Sequence, residues 1–178
     1  MSKIRLGFVG VGGMGQMAHL RNYVTFDDCE VVALAELRAA TGSLVARRYG
    51  IPKVYPDHKA MLAQEKLDGV VASQPFSRHA VLLPEIYPHV KYVFTEKPLA
   101  VWPEAGEKLA QAAAAAGCVH MVGYHKRSDP ATQYAKLKIN QWRSSGRLGK
   151  LKYVRILMPA GDWIAAGFVG LLNAGDKP

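Results

Sequence analysis

A glycine-rich segment near the start of the chain has the spacing that dinucleotide-binding proteins use to hold phosphate. The sequence reads GVGGMG from Gly10 to Gly15, a GxGxxG pattern that follows an apolar run. In this pattern Gly10 permits a tight turn, Gly12 lets a pyrophosphate approach the backbone, and Gly15 allows a helix to pack closely on a strand. Gly13 and Met14 lie where that helix begins, and its N-terminus would direct N–H groups at phosphate. The segment is therefore predicted to bind the phosphates of a dinucleotide.

An acidic residue lies at the distance from these glycines that suits a ribose. Glu36 ends the apolar run EVVALAE, 21 residues beyond Gly15. A carboxylate at this point can accept hydrogen bonds from the adenosine ribose hydroxyls and would repel a 2′-phosphate. The sequence thus predicts NAD in preference to NADP. Arg38 leaves NADP possible, because a guanidinium so close could meet a phosphate.

A charged triplet closes another apolar run. Glu96, Lys97 and Pro98 directly follow KYVFT. Ligands of open parallel sheets bind beyond the carboxyl ends of the strands, so Lys97 is predicted to face the ligand and to act in catalysis. Its ammonium would favour negative charge on a reacting oxygen, or a neutral amine would accept a hydroxyl proton. Pro98 restricts Lys97 to extended geometry. Glu96 either meets the nicotinamide region through its backbone or orders the turn, and its carboxylate is expected to point away from the lysine.

Alternating strand-like and helix-like segments would position these groups. Residues 4–10, 30–36, 68–73, 91–96 and 118–124 read as strands, with a short extended piece around Val54, and helical segments lie between them. The strands are almost continuously apolar, which indicates a sheet covered on both faces. Strands that alternate with helices indicate parallel pairing through right-handed crossovers. Residues 1–124 are therefore predicted to be a doubly wound, parallel-sheet α/β Rossmann domain.

The remaining residues, 125–178, are predicted to begin a second α/β domain that this chain leaves incomplete. A helix is expected over 129–146, ended by Gly146, and a strand over GKLKYVRILMP at 149–159. No later segment is expected to complete a sheet.

Three segments resemble the Gfo/Idh/MocA oxidoreductases: GVGGMG, FTEKPLA and VGYHKRSDPA. A fourth, RLGKLKYV, is similar to that family's entry into its second domain. The resemblance implies an NAD(P)-dependent oxidoreductase that transfers a hydride between nicotinamide and a sugar, cyclitol or related polyol. It also implies that the second domain binds substrate and forms homo-oligomers when complete.

The resemblance assigns site residues as well. Those implied to bind cofactor include Ser73, Pro75, His79, Glu96 and Lys97. His125 and Arg127 are implied to lie near substrate together with Lys97. The loop QPFSRHA departs from the more common Thr-Pro-Asn, and His125 stands where asparagine is common. The family's usual catalytic acid and histidine are expected beyond Pro178, so this polypeptide alone is not expected to complete the chemistry.

Composition excludes several other classes of protein. Cys29 and Cys118 lack CxxC spacing, which argues against a disulfide scaffold or a zinc site, and the histidines lack metal-ligand spacing. The start is no signal peptide, and WIAAGFVGLLNAG is too short to cross a bilayer, so no membrane partner and a cytoplasmic location are expected.

Three other functions remain alternatives at this point. The net charge of +9 is concentrated in residues 125–178, with ten Lys or Arg against three Asp or Glu. Nucleic-acid binding nevertheless ranks last, because these basic residues are spread along helix-like and strand-like segments without aromatic interleaving. A nucleotide-sensing or partner-binding module without turnover would use the same glycine loop. A methyltransferase would also use a glycine loop and an acid after the second strand, but the GxGxxG spacing and the Glu-Lys-Pro triplet count against it.

Overall fold

A parallel sheet of six strands lies at the centre of residues 2–123 in the computed structural model, which describes residues 2–157 and 170–178 of the chain. The strands are β1 (Ile4–Val9), β2 (Cys29–Ala35), β3 (Lys53–Tyr55), β4 (Gly69–Ala72), β5 (Tyr92–Thr95) and β6 (Val119–Val122). Their order is β3-β2-β1-β4-β5-β6, and each neighbouring pair is parallel. The strand order reverses between β1 and β4, which is where doubly wound sheets bind ligands. The predicted α/β Rossmann fold is confirmed.

Helices connect the strands at the predicted places. Helix α1 is π-helical over Gly15–Leu20 and α-helical over Arg21–Tyr23, and it is followed by α2 (Ala39–Tyr49), α3 (His58–Gln64), α4 (His79–Ile86) and α5 (Pro103–Ala115). Local chemistry sets several of the ends. The Asp57 carboxylate accepts a hydrogen bond from the amide of Ala60 at the start of α3, and Pro103 begins α5. Gly50 ends α2 in the left-handed conformation that glycine favours.

Apolar side chains cover both faces of the sheet. On one face, strand residues Phe8, Leu34 and Val71 pack with Leu20 of α1 and Val45 of α2. On the other face, a second cluster joins the sheet to α3, α4 and α5 and includes Val9, Val70, Val93, Met61, Leu83 and Leu109. Burial on both sides is the reason that the strands read as continuous apolar runs.

Residues 124–157 contain one further helix, α6 (Pro130–Ser145). It starts at Asp129, whose carboxylate accepts hydrogen bonds from Ala131 and Thr132, and it ends at Gly146 in the left-handed conformation, as predicted. The strand predicted over 149–159 does not form in its described part, 149–157, and residues 158 and 159 lie outside the described residues. A β-strand needs a neighbour to pair its backbone groups. No described residue pairs with this segment, and Ile156 is 82% exposed.

Residues 170–178 belong, by their contacts, to the same compact unit as residues 2–123, whereas residues 124–157 belong to a second unit. The predicted division into 1–124 and 125–178 stays a prediction. No helix in the described ranges is both long and apolar enough to cross a membrane. The apolar segment WIAAGFVGLLNAG lies largely outside the described residues.

Candidate functional site

The glycine loop between β1 and α1 has the form of a phosphate cradle. Gly10 has φ +85°, and a Cβ at this position would overlap the side-chain amide of Gln74. A Cβ on Gly15 would lie 2.6 Å from the carbonyl oxygen of Gly10, so only glycine lets α1 pack this closely on the loop. A Cβ on Gly12 would meet no heavy atom within 4 Å. The loop is therefore closed at its two ends and open at Gly12, where a phosphate can approach the backbone and the N-terminus of α1.

Gln16 fixes this loop from inside, a role that the sequence analysis missed. Its side chain is 1% exposed, and Nε2 donates a hydrogen bond of 2.7 Å to the carbonyl of Val11. Gln16 follows Gly15 directly in the sequence, but the GxGxxG pattern makes no demand on this position. The contact therefore emerges only from the folded loop.

Glu36 and Arg38 form an ion pair at the carboxyl end of β2. The Glu36 carboxylate accepts hydrogen bonds from the Val11 amide at 2.9 Å and from the Arg38 guanidinium at 2.8 and 3.0 Å. Burial acts to raise the pKa of Glu36, but the bonds from Arg38 and Val11 outweigh it and hold that pKa below its ordinary value. The carboxylate is thus ionised and ties the glycine loop to the end of β2. Its predicted contact with ribose stays a prediction.

A cavity of about 290 Å³ is lined by Ala35 and Leu37, the residues on either side of Glu36 in the sequence. It opens at the carboxyl ends of β1 and β2 and extends towards the loop that follows β4. Its walls combine apolar and polar side chains, among them Val9, Ala35, Leu37, Gln74, Arg78 and Leu82. A flat aromatic ring with polar edges fits such a surface. Leu37 and Arg78 were not predicted as site residues, because no motif marks them.

The loop after β4 lies against the glycine loop. The Ser73 amide donates to the carbonyl of Val9 at 2.9 Å, and the Ser73 Cβ would be 3.4 Å from a Cβ on Gly15. Pro75 is exposed and precedes a single 3₁₀ turn, Phe76–Arg78. Ser73 is therefore next to the predicted phosphate site, and Pro75 is on the exposed part of the same loop.

The lysine turn follows β5 at the same edge of the sheet. Lys97 is exposed, and the peptide bond between Lys97 and Pro98 is cis. The Glu96 carboxylate lies 2.7 Å from Nε2 of His19 on α1, and its other oxygen accepts the Lys97 amide at 3.2 Å. The carboxylate thus faces α1. His19, which no motif in the sequence marks, therefore joins the lysine turn to the helix that follows the phosphate loop.

His79 supports the far side of the lysine turn. It is completely buried at the start of α4, and its Nδ1 donates to the carbonyl of Leu99 at 2.8 Å. Its Nε2 has no hydrogen-bond partner among the described residues. His79 thus holds the turn through Leu99, and its predicted contact with the cofactor stays a prediction.

A second, partly buried histidine anchors the end of β5. His120 contacts the hydroxyl of Tyr87 and the hydroxyl of Thr95, each at 2.9 Å. Burial, aided by the nearby His79, lowers the pKa of His120 to about 4. His120 is therefore neutral at physiological pH and holds Thr95, two residues before Lys97.

His125 and Arg127 lie in an exposed 3₁₀ turn, His125–Arg127, in the second unit. Their predicted role at the substrate stays a prediction. Among residues 2–157 and 170–178, no group of three or more His, Cys, Asp or Glu side chains is arranged to hold a metal ion.

Known proteins are similar in sequence to most of this chain. Scyllo-inositol 2-dehydrogenase (NAD(+)) of Bacillus subtilis is 28% identical over 154 residues, which are 86% of this chain and 44% of that protein. D-glucoside 3-dehydrogenase of Escherichia coli is 29% identical over 153 residues, 84% of this chain and 42% of that protein. The chain thus spans less than half the length of these curated relatives.

Solved structures are also similar to most of this chain. The crystal structure of scyllo-inositol dehydrogenase from Lactobacillus casei with bound NAD(H) and scyllo-inositol matches with a TM-score of 0.72 and 26% identity. The match covers 84% of this chain and 43% of that one. Residues 4–124, which contain both the glycine loop and the lysine turn, match the family GFO_IDH_MocA, described as an oxidoreductase family with an NAD-binding Rossmann fold. The chain belongs to this Gfo/Idh/MocA oxidoreductase family.

Proposed function

We propose that this protein is an NAD-dependent dehydrogenase that moves a hydride between nicotinamide and a cyclitol, sugar or related polyol. One observation carries the proposal. The open phosphate cradle at Gly12 and the exposed Lys97 follow β1 and β5, whose carboxyl ends lie at one edge of the same parallel sheet. A cofactor on the cradle would extend along this edge towards the lysine. The two named relatives act on an inositol and a glucoside, which supports a polyol substrate.

Different residues of this chain would bind different parts of the cofactor. The N-terminus of α1 and the loop at Gly12 would hold the pyrophosphate, Glu36 would accept hydrogen bonds from the ribose, and the 290 Å³ cavity would take the adenine. Ser73 and Pro75 would border the cofactor from the loop after β4. The bound nicotinamide ring supplies the site that takes or gives the hydride. NADH should bind roughly tenfold to a hundredfold more tightly than NADPH, because the buried carboxylate of Glu36 repels a 2′-phosphate.

Lys97 would act on the reacting oxygen of the substrate. Its ammonium stabilises the negative charge that develops there as a hydroxyl becomes a carbonyl, and we favour this electrostatic role over that of sole general base. The contacts of the lysine turn support it. Glu96 is held by His19 and Leu99 by His79, so the backbone on each side of Lys97 is fixed while its side chain stays exposed. His125 and Arg127 are also proposed to contact the substrate.

Replacing Lys97 tests the proposal. In protein expressed from its complete reading frame, Lys97→Met should lower turnover of inositols and hexoses by roughly a hundredfold, the effect of losing one positioned group. NADH affinity should stay within about threefold. Lys91→Met is the matched control, because this exposed lysine precedes the opposite end of the same strand.

Two results would contradict the proposal. Full turnover in Lys97→Met would remove the lysine from the mechanism. NADH binding without turnover of any polyol by the unmodified protein would identify a nucleotide-binding module instead of an enzyme.

The proposal extends to assembly and location. Apolar side chains are exposed on α6 and on residues 151–157, among them Leu137, Trp142, Tyr153, Ile156 and Leu157. Such surfaces favour association, so we propose a homo-oligomer, which sedimentation velocity would test.

Cys29 and Cys118 are both free, which suits the reducing cytoplasm. Cell fractionation would test this location. No nucleic-acid partner is proposed. Retention of DNA or RNA on a filter by the purified protein would show that it does bind nucleic acid.

A further inference from the structure

Residues 170–178 lie on the face of the sheet that α1 and α2 cover. The side-chain amide of Gln16 grips the backbone of Leu172 with two hydrogen bonds: Nε2 donates to its carbonyl at 2.9 Å, and Oε1 accepts its amide at 3.0 Å. The side chain of Leu172 packs against the apolar cluster of that face. Because Gln16 also holds the glycine loop, this segment is tied directly to the predicted phosphate site.

Four residues further on, Asp176 places its carboxylate at the N-terminus of α2. It accepts hydrogen bonds from the Ala40 amide at 2.8 Å, from the Thr41 amide at 3.2 Å and from the Thr41 hydroxyl at 2.5 Å. The Thr41 hydroxyl, with the two amides, holds the pKa of Asp176 below its usual range. The carboxylate is therefore ionised at neutral pH.

This negative charge lies beside the Glu36–Arg38 pair. Arg38 is the residue immediately before α2, and Asp176 adds to Glu36 in raising the pKa of its guanidinium. An arginine near the end of the second strand is what commonly accommodates the 2′-phosphate of NADP. Here that arginine is bonded to one carboxylate and close to a second one.

We propose that Asp176 is a cofactor-specificity residue, which acts with Glu36 to exclude the 2′-phosphate of NADP. The inference rests on the proposed binding of the adenosine ribose at Glu36. Asp176 occupies the helix amides that a phosphate would otherwise use, and its charge repels a second anion. Glu36 already pairs with Arg38, but it leaves these helix amides unoccupied, and they could still attract a phosphate. The carboxylate of Asp176 removes that attraction.

Cofactor titrations of the purified chain test this role without any need for turnover. In Asp176→Asn, affinity for NADPH should rise by about tenfold, the effect of removing one nearby charge, while affinity for NADH stays within about threefold. Asp176→Glu should keep the discrimination of the unmodified protein. Asp129→Asn is the matched control, because it neutralises an N-cap carboxylate of another helix, and both affinities should stay unchanged.

The outcomes separate this inference from the proposed function. Equal NADPH affinity in Asp176→Asn and Asp129→Asn, with NADH binding intact, would overturn the specificity role alone. If Asp176→Asn lowered the affinities for NADH and NADPH equally, the specificity role would also be overturned, because the residue would then act only on the fold. An unmodified protein that binds neither cofactor would overturn the proposed function and this inference together.

Discussion

Two glycines of the same loop should respond to alanine in opposite ways. At Gly12 a new Cβ meets no atom within 4 Å, and its φ lies outside the positive region. Gly12→Ala should therefore change the free energy of unfolding by no more than about 1 kcal/mol, and in the stabilising direction, because alanine restricts the unfolded chain. The methyl group would fill the space through which a phosphate reaches the backbone. The loss of one hydrogen bond to a charged group, about 1.5–3 kcal/mol, corresponds to roughly a tenfold to 150-fold loss of NADH affinity.

At Gly15 the same methyl group has no room. It would lie 2.6 Å from the carbonyl oxygen of Gly10, and this backbone atom cannot rotate away as a side chain would. Gly15→Ala should destabilise the protein by about 1–3 kcal/mol, as overpacking does, which lowers the melting temperature by roughly 2–4 °C for each kcal/mol. The stability of each variant would be measured as its melting temperature by circular dichroism.

The affinity of each variant for NADH would be measured by titration. The unmodified protein is the reference for both the melting temperature and the affinity. Gly12→Ala should keep full stability and bind NADH weakly, whereas Gly15→Ala should lose stability. If Gly12→Ala bound NADH as tightly as the unmodified protein, the open side of the loop would not be the phosphate site. If Gly15→Ala melted at the unmodified temperature, the close packing of α1 on the loop would be refuted.

Two further predictions concern the histidines that support the lysine turn. Because His120 has a pKa lowered from 6.5 to about 4, the unfolded chain binds a proton in this range that the folded chain does not. The free energy of unfolding that depends on neutral His120 is fully present above pH 6.5 and is lost as pH falls to 4. The loss should be on the order of 2 kcal/mol after allowance for the partial exposure of this side chain. Urea denaturation at several pH values should show a shallower pH dependence in His120→Gln, and identical slopes would contradict the assignment. His79→Ala should cost roughly 2–4 kcal/mol and speed amide hydrogen exchange around Leu99, because a buried ring and its bond to that carbonyl are lost. Unchanged exchange there would show that His79 does not hold the turn.

The sequence by itself determined the parts of this protein that depend on local pattern. Continuous apolar runs between helical segments were sufficient for the doubly wound sheet, because burial on both faces leaves that pattern in the chain. The glycine spacing predicted the turn at Gly10 and the close packing at Gly15, because backbone conformation and the absence of a Cβ are properties of the residue itself. Gly146 likewise predicted the end of α6.

A strand cannot be read in this way when its partner is missing. Residues 149–157 show a partial alternation of apolar and basic side chains that suits a strand, but pairing requires a neighbouring chain segment that the local pattern does not contain. The structure describes no such neighbour, and the strand does not form.

Only the tertiary structure decided which side chains meet across the fold. His19 faces Glu96 from 77 residues away, His79 reaches the carbonyl of Leu99, and Asp176 caps α2 from 135 residues beyond Thr41. No spacing rule in the sequence predicts these contacts, because each joins separate elements whose proximity follows from how the helices lie on the sheet. The residue types state what chemistry is available, and packing determines which partner each polar group finds.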